Sequence, residues 1–139
     1  MLVSGSDEHN LIHWTNNKVN LIQNIKPCFT NSMVQINSEL IAVGGKGIVW
    51  LIDIKECRLA KKIVMEEISY INCLMTYKEN LFCGAYPGKI VYIDLKQNNE
   101  YKILSSNEMT PYIDAMVYID NDTFIEGSVI KNMNVWSIS

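Results

Sequence analysis

A triplet of residue types, aromatic then intermediate then small polar, occurs three times in the sequence and is the pattern best suited to binding chemistry. The three copies begin at Phe29, Tyr70 and Tyr112, at intervals of 41 and 42 residues, and the second and third end in Asn72 and Asp114. Tyrosine combines a large rigid ring with a hydroxyl group, which favours contacts with proteins and peptides. The alternative interpretation is that these rings pack between neighbouring strands of the fold.

Residue patterns that support catalysis are absent from the sequence. It contains no Gly-x-Ser-x-Gly elbow, no Walker loop and no His-Glu-x-x-His pair. The glycine-rich stretch Gly44–Gly47 is not followed by Ser or Thr and opens no predicted helix, so it does not indicate a phosphate site. We therefore expect no catalytic residues and no enzymatic activity.

The cysteines and histidines do not form a metal-binding pattern. Cys28, Cys57, Cys73 and Cys83 never lie closer together than ten positions, and no Cys-x-x-Cys or His-x-His group accompanies them. A zinc site and a disulfide framework are both disfavoured by this spacing. The sequence thus predicts free, buried thiols in a reducing compartment, either the cytoplasm or the nucleus, with no metal and no cofactor.

The amino-acid composition bears on whether nucleic acid or a membrane could be a binding partner. Of the 139 residues, 48% are hydrophobic and 19% are charged, which is typical of a soluble globular protein. The net charge is −3 and Arg58 is the single arginine, so no concentrated basic face for nucleic acid is expected. No stretch approaches the roughly 18 apolar residues of a membrane span, and the first eight residues lack the basic and apolar regions of a signal peptide. We predict neither nucleic-acid nor membrane binding.

Four segments share one pattern: a short apolar run ends in glycine, a turn follows, and a second apolar run closes on a large residue. The closing residues are Trp14, Ile52, Ile93 and Trp136, separated by 38, 41 and 43 positions. A period near 40 is typical of four-stranded propeller blades, and no long run has the apolar period of a helix. The sequence predicts an all-β fold, a partial β-propeller of about three and a half four-stranded antiparallel blades.

The residues that carry this pattern resemble the WD-repeat family. Leu2–Thr15 matches the family's unit, with Gly5 and Trp14 in register, and Ile90–Asp94 and Met133–Ser137 match its closing strand less closely. The family's Gly-His dipeptide is absent and its turn aspartate is replaced. The resemblance therefore implies blades without the His–Ser–Asp–Trp network that often braces them, held together by apolar packing between blades.

The predicted blades cover residues 1–26, 27–66, 67–107 and 108–139. The first is partial and the last lacks its outer strand. Each repeat of this kind buries its apolar face only by stacking on a neighbour, so unpartnered faces would favour association. The resemblance implies that the chain is part of a longer one or is completed by another chain.

The resemblance also implies where partners bind. The three aromatic triplets would ring the mouth of the central channel, on the face that carries the turns between the second and third strand of each blade. Lys89 and Lys131 lie in these turns and are candidate binding residues together with the triplets, and Asp7, Glu8, His9 and Asn132 share the turns. The predicted function is a non-catalytic protein–protein interaction scaffold, with a protein or peptide as partner.

Two alternatives stay open. A structural subunit of a larger assembly would make contacts through blade edges, which apolar residues on outer strands, such as Ile63–Met65 and Ile103–Leu104, would favour. A substrate receptor of a ubiquitin ligase is weakly suggested by Asp53–Lys55 and Asp94–Lys96, which stand where some WD-repeat receptors carry Trp-Asp-x-Arg. Both segments lack the tryptophan, and lysine cannot reproduce the bidentate arginine fork.

Overall fold

The computed structural model describes residues 2–6, 10–15, 18–22, 30–98, 100–106, 112–129 and 133–138. These residues form fourteen strands in four antiparallel sheets, with no helix among them. Each sheet is built from strands that are consecutive in the chain, and we number the sheets blade 1 to blade 4. This architecture, a partial β-propeller, confirms the predicted fold class.

The strand bounds are as follows. Blade 1 contains β1 (Leu2–Gly5), β2 (Leu11–Thr15) and β3 (Lys18–Leu21). Blade 2 contains β4 (Ser32–Gln35), β5 (Leu40–Gly44), β6 (Ile48–Asp53) and β7 (Arg58–Val64). Blade 3 contains β8 (Tyr70–Tyr77), β9 (Asn80–Tyr86), β10 (Lys89–Asp94) and β11 (Glu100–Ser106). Blade 4 contains β12 (Ile113–Asp120), β13 (Thr123–Ser128) and β14 (Met133–Ser137).

Strand register shows that the four sheets are repeats of one unit. In every blade the predicted closing residue pairs with the residue three positions before the glycine. The pairs are Trp14 with Leu2, Ile52 with Ile41, Ile93 with Leu81 and Trp136 with Phe124. Corresponding residues can therefore be compared from blade to blade.

Turn residues fit the hairpins they connect. Gly47 and Gly88 have φ of 62° and 41°, which glycine adopts without a Cβ penalty. Lys78 and Glu79, between β8 and β9, also have positive φ, as two-residue hairpin turns require. The hairpins thus end where the sequence predicts them to reverse.

The core lies between blades, in three clusters of buried apolar side chains. One cluster joins blades 1 and 2 and includes Leu11, Val43 and Ile52. The largest joins blades 2 and 3, and the third joins blades 3 and 4 around Phe82 and Phe124. This arrangement agrees with the prediction that apolar packing between blades supplies the stability.

The sequence implies blades without the His–Ser–Asp–Trp network, and one tryptophan–serine hydrogen bond is nevertheless present. In blade 1, Trp14 Nε1 donates a hydrogen bond of 2.8 Å to Ser4 Oγ. The bond forms because Ser4 lies on β1 two residues beyond Leu2, the cross-strand partner of Trp14. This bond therefore joins β1 and β2 of blade 1 through their side chains.

The thiols are only partly as predicted. Cys83 is buried, but Cys57 and Cys73 are half-buried, and all three are free; Cys28 lies outside the described residues. Burial raises the pKa of Cys73 to about 12 and also raises that of Cys83, so these two thiols stay protonated at neutral pH. Cys57 Sγ lies 3.0 Å from Nδ1 of His13 and links blade 2 to blade 1.

The described part of the chain has no helix long and apolar enough to cross a membrane. It also has no group of three or more His, Cys, Asp and Glu side chains that could hold a metal ion.

Candidate protein-interaction surface

Three tyrosines contact one another at the end of the sheets where β8 and β12 begin. These two strands are the first strands of blades 3 and 4, and we call the first strand of a blade its inner strand. Tyr86 stacks on Tyr112, with ring centroids 4.7 Å apart and an interplanar angle of 23°. On its other side Tyr86 contacts Tyr70, at 6.5 Å and a tilt of 48°. We call these three residues the tyrosine cluster.

Strand pairing brings the cluster together. Tyr70 is the first residue of β8 and pairs with Tyr86, the last residue of β9. Tyr112 directly precedes β12, which packs against β8 and β9. The cluster therefore spans the junction of blades 3 and 4, and its central ring comes from the second strand of blade 3.

Exposure gives the cluster its binding potential. The Tyr112 side chain is 42% exposed, whereas Tyr70 and Tyr86 are half-buried. A stacked, partly exposed aromatic group is rigid and loses little conformational entropy when a partner covers it. The same stacking also holds an inner strand against its neighbouring blade, so these rings both pack and face solvent.

A short loop beside the cluster supplies polar groups. The Ser69 amide donates to the carbonyl of Tyr86 at 3.0 Å, and Lys89 Nζ donates to the carbonyl of Glu67 at 3.2 Å. The Glu67 carboxylate accepts a 2.9 Å hydrogen bond from the Tyr101 hydroxyl, and this bond raises the pKa of Tyr101. The ammonium of Lys89 thus already has a partner in the fold.

The small polar residues of the triplets lie at bulges. The register shifts by one residue between Ile71 and Cys73 in β8, and between Ile113 and Ala115 in β12. The extra residues are Asn72 and Asp114. Bulges often redirect side chains beside functional sites. Asn72 Nδ2 is buried without a hydrogen-bond partner among the described residues, and Asp114 is exposed.

The structure thus places Tyr70 and Tyr112 in one cluster, with Asn72 and Asp114 on the same two strands and Lys89 at the start of β10. Phe29 and Lys131, the other two candidate binding residues, lie outside the described residues, as do Asp7, Glu8, His9 and Asn132. Whether the candidate residues bind a partner stays a prediction.

Sequence reasoning missed Tyr86, the centre of the cluster. The residue belongs to no triplet, because it ends the second strand of a blade instead of beginning the first. The available signal was its position before Pro87-Gly88, at the turn of a predicted hairpin. An aromatic residue there must lie beside the start of the paired inner strand.

At the opposite ends of the strands, two aspartates stabilise turns. Asp53 Oδ1 accepts hydrogen bonds from the amides of Lys55 and Glu56, each 3.0 Å long. Asp94 does the same for the two amides that follow it by two and three positions, at 2.9 and 3.1 Å. The carboxylates that suggested a ubiquitin-ligase receptor therefore have structural partners within their own turns.

Comparisons with known proteins identify the fold and leave the family open. No protein-family profile matches the sequence, and no curated protein matches it. The structure is similar to the crystal structure of the computationally designed Ika8 protein, with a TM-score of 0.78 and 16% identity over 98% of this chain. It is also similar to a chain of the crystal structure of the mitotic checkpoint complex, with a TM-score of 0.80 and 16% identity over 94% of this chain.

These similarities cover 42% and 41% of the two solved chains, so this chain spans less than half the length of each. Together with the four antiparallel sheets, they support a β-propeller-like fold. Sequence identity of 16% carries the fold alone. The resemblance to WD repeats stays a prediction from the sequence.

Proposed function

We propose that this protein is a non-catalytic interaction scaffold that binds a peptide or protein segment at the tyrosine cluster. The observation that carries the proposal is the stacked pair of Tyr86 and Tyr112, which leaves Tyr112 42% exposed beside a polar loop. Rigid aromatic residues with polar neighbours are typical anchors of protein interfaces. We also propose that the protein is located in the cytoplasm or the nucleus.

A peptide-display selection tests the proposal. A random peptide library is selected on the immobilised 139-residue chain, and the affinity of an enriched peptide is measured by fluorescence anisotropy. Tyr112→Ala and Tyr70→Ala are expected to weaken binding at least about tenfold, as loss of an anchor does. The melting temperature should fall by only a few degrees, because the ring contacts that are lost contribute about 0.5–1.5 kcal/mol each.

Two further variants complete the design. Tyr112→Phe keeps the ring and should retain most of the affinity, and Val64→Ala changes an exposed side chain of an outer strand as an off-site control. Selected peptides that bind every variant equally would reject the cluster as the site. A large fall in melting temperature for Tyr112→Ala would instead assign these rings to packing.

A second candidate function, lateral contacts in a larger assembly, is favoured by apolar exposure on outer strands. Val64 on β7 and Leu104 on β11 are exposed, although Ile63 and Met65 are buried. Sedimentation of the chain and of Val64→Lys and Leu104→Lys tests this candidate. Self-association that these two substitutions abolish, with no effect of Tyr112→Ala, would favour lateral assembly over peptide capture.

A further inference from the structure

Three glycines form sockets that receive the next blade. A methyl group on Gly5 would lie 2.6 Å from Cγ2 of Thr30, and one on Gly44 would lie 2.7 Å from Cγ2 of Ile71. A methyl group on Gly84, the glycine of blade 3, would lie 2.6 Å from Cγ2 of Ile113 in blade 4 and also 2.5 Å from Sγ of Cys73 in its own blade. In each case the side chain in the socket is β-branched and comes from the second position of the aromatic triplet.

The fourth glycine, Gly127, has the same place in its blade but a different environment. It pairs with the first residue of β14, as Gly84 pairs with the second residue of β10. A methyl group on Gly127 would have no atom of the described residues within 4 Å. Its φ is not in the left-handed region, so backbone conformation does not explain the glycine.

The strand face around Gly127 is apolar and exposed where its counterpart on blade 3 is buried. Val117 is 62% exposed, whereas Met75, the corresponding residue of β8, is 7% exposed. Met133 is 78% exposed, whereas its counterpart Ile90 is fully buried. We call this surface the outward face of blade 4; its apolar members are Ala115, Val117, Ile119, Ile125, Met133 and Val135.

We propose that the outward face of blade 4 is a docking surface for the inner strand of a further propeller blade, with a β-branched side chain of that strand seated over Gly127. The internal interfaces define the occupant, because β8 and β12 make the contacts between blades 2, 3 and 4. Side-chain to main-chain bonds fix the position of such a strand. Asn31 Nδ2 donates to the Ile71 carbonyl at 3.3 Å, and Ser32 Oγ accepts from the Leu74 amide at 3.0 Å.

The chain's own strands indicate the chemistry of the occupant. It is an extended segment with an aromatic residue, then Ile, Val or Thr, then a small polar residue. Beyond that position, apolar side chains at alternate residues would cover Val117 and Ile125. This docking does not depend on peptide binding at the tyrosine cluster, because the cluster lies at the strand ends and not on the sheet face.

A synthetic peptide tests the proposal directly. Its sequence copies residues 69–78 of this chain, with serine in place of Cys73 because β4 has Ser32 at that position. A fluorescent label reports binding to the full chain by anisotropy. We expect saturable binding that Gly127→Val weakens at least about tenfold, since valine fills the socket and a lost isoleucine contact has a cost of this size or more.

Matched variants separate the surface from general effects. Val117→Lys should weaken binding, whereas Val64→Lys, a similarly exposed valine on β7, should leave it unchanged. A control peptide with glycine in place of the residue that copies Ile71 should bind at least about tenfold more weakly. The melting temperature of Gly127→Val should equal that of the unmodified chain, because the socket is open.

Three results would overturn the proposal. The first is absence of saturable binding up to the solubility limit of the peptide, and the second is equal affinity for Gly127→Val. The third is self-association of the chain that Gly127→Val abolishes and the peptide does not inhibit, which would assign the face to a second copy of this chain.

Discussion

The interface between blades 2 and 3 and the outward face of blade 4 are built from the same strand pattern but differ in burial. In the interface, Gly44 receives Ile71, and both residues are buried. On the outward face, Gly127 receives no described side chain, and Val117 beside it is exposed. The comparison shows that burial in this fold depends on the neighbouring blade and not on the blade itself.

The largest effect is expected from shortening a buried side chain at the interface between blades 2 and 3. Ile71→Ala should reduce the free energy of unfolding by about 2–5 kcal/mol, because it empties a socket and leaves a cavity. Val117→Ala, on the outward face, should change it by no more than about 0.5 kcal/mol. Urea unfolding of both variants measures the difference. Equal losses for the two would mean that the blade interfaces do not supply the core.

A smaller effect is expected at the tyrosine cluster. A double-mutant cycle of Tyr86→Ala and Tyr112→Ala should give a coupling energy of about 0.5–1.5 kcal/mol, as stacked rings do. This contact joins blades 3 and 4 at a partly exposed position, so its energy can be compared with that of the buried glycine sockets. A coupling energy near zero would show that the two rings do not stack in solution.

The smallest effect concerns a turn of blade 4. Hydrogen bonding from the Asp122 amide, at 3.0 Å, lowers the pKa of Asp120 from its ordinary value of 3.8. A carboxyl with a lowered folded-state pKa stabilises the fold above its ordinary pKa, and that contribution disappears as the pH falls through the folded-state value. Unfolding measured between about pH 5 and pH 2 should therefore depend on pH slightly less for Asp120→Ala than for the unmodified chain. Identical pH profiles would contradict this assignment.

Much of the fold follows from local patterns in the sequence. The four glycine-to-closing-residue segments predict the hairpins, because strand alternation and turn glycines are local properties. Trp14 and Trp136 close their segments in the structure as they do in the sequence. The order of strands within each sheet follows from the same repeat.

The candidate site was less predictable, because its contacts join residues far apart in sequence. Tyr70 and Tyr112 stand out through their spacing, but Tyr86 joins them only after β9 folds back on β8. The Trp14–Ser4 hydrogen bond was not predicted, because the family pattern indicates only whether the complete four-residue network can form. Lys89 was predicted to be a binding residue because of its position in a turn. That position gives no information about the hydrogen bond that Lys89 donates to the Glu67 carbonyl.

The socket contact can be tested directly with a double-mutant cycle of Gly44→Ala and Ile71→Ala, followed by urea unfolding. Gly44→Ala alone should cost about 1–3 kcal/mol because its methyl group meets Cγ2 of Ile71. In the presence of Ile71→Ala much of that cost should disappear, which gives a favourable coupling energy of about 1 kcal/mol or more. Gly127→Ala, combined with Ile71→Ala, should be additive. If Gly44→Ala is additive as well, the contact between Gly44 and Ile71 does not form and the blades do not stack through their glycines.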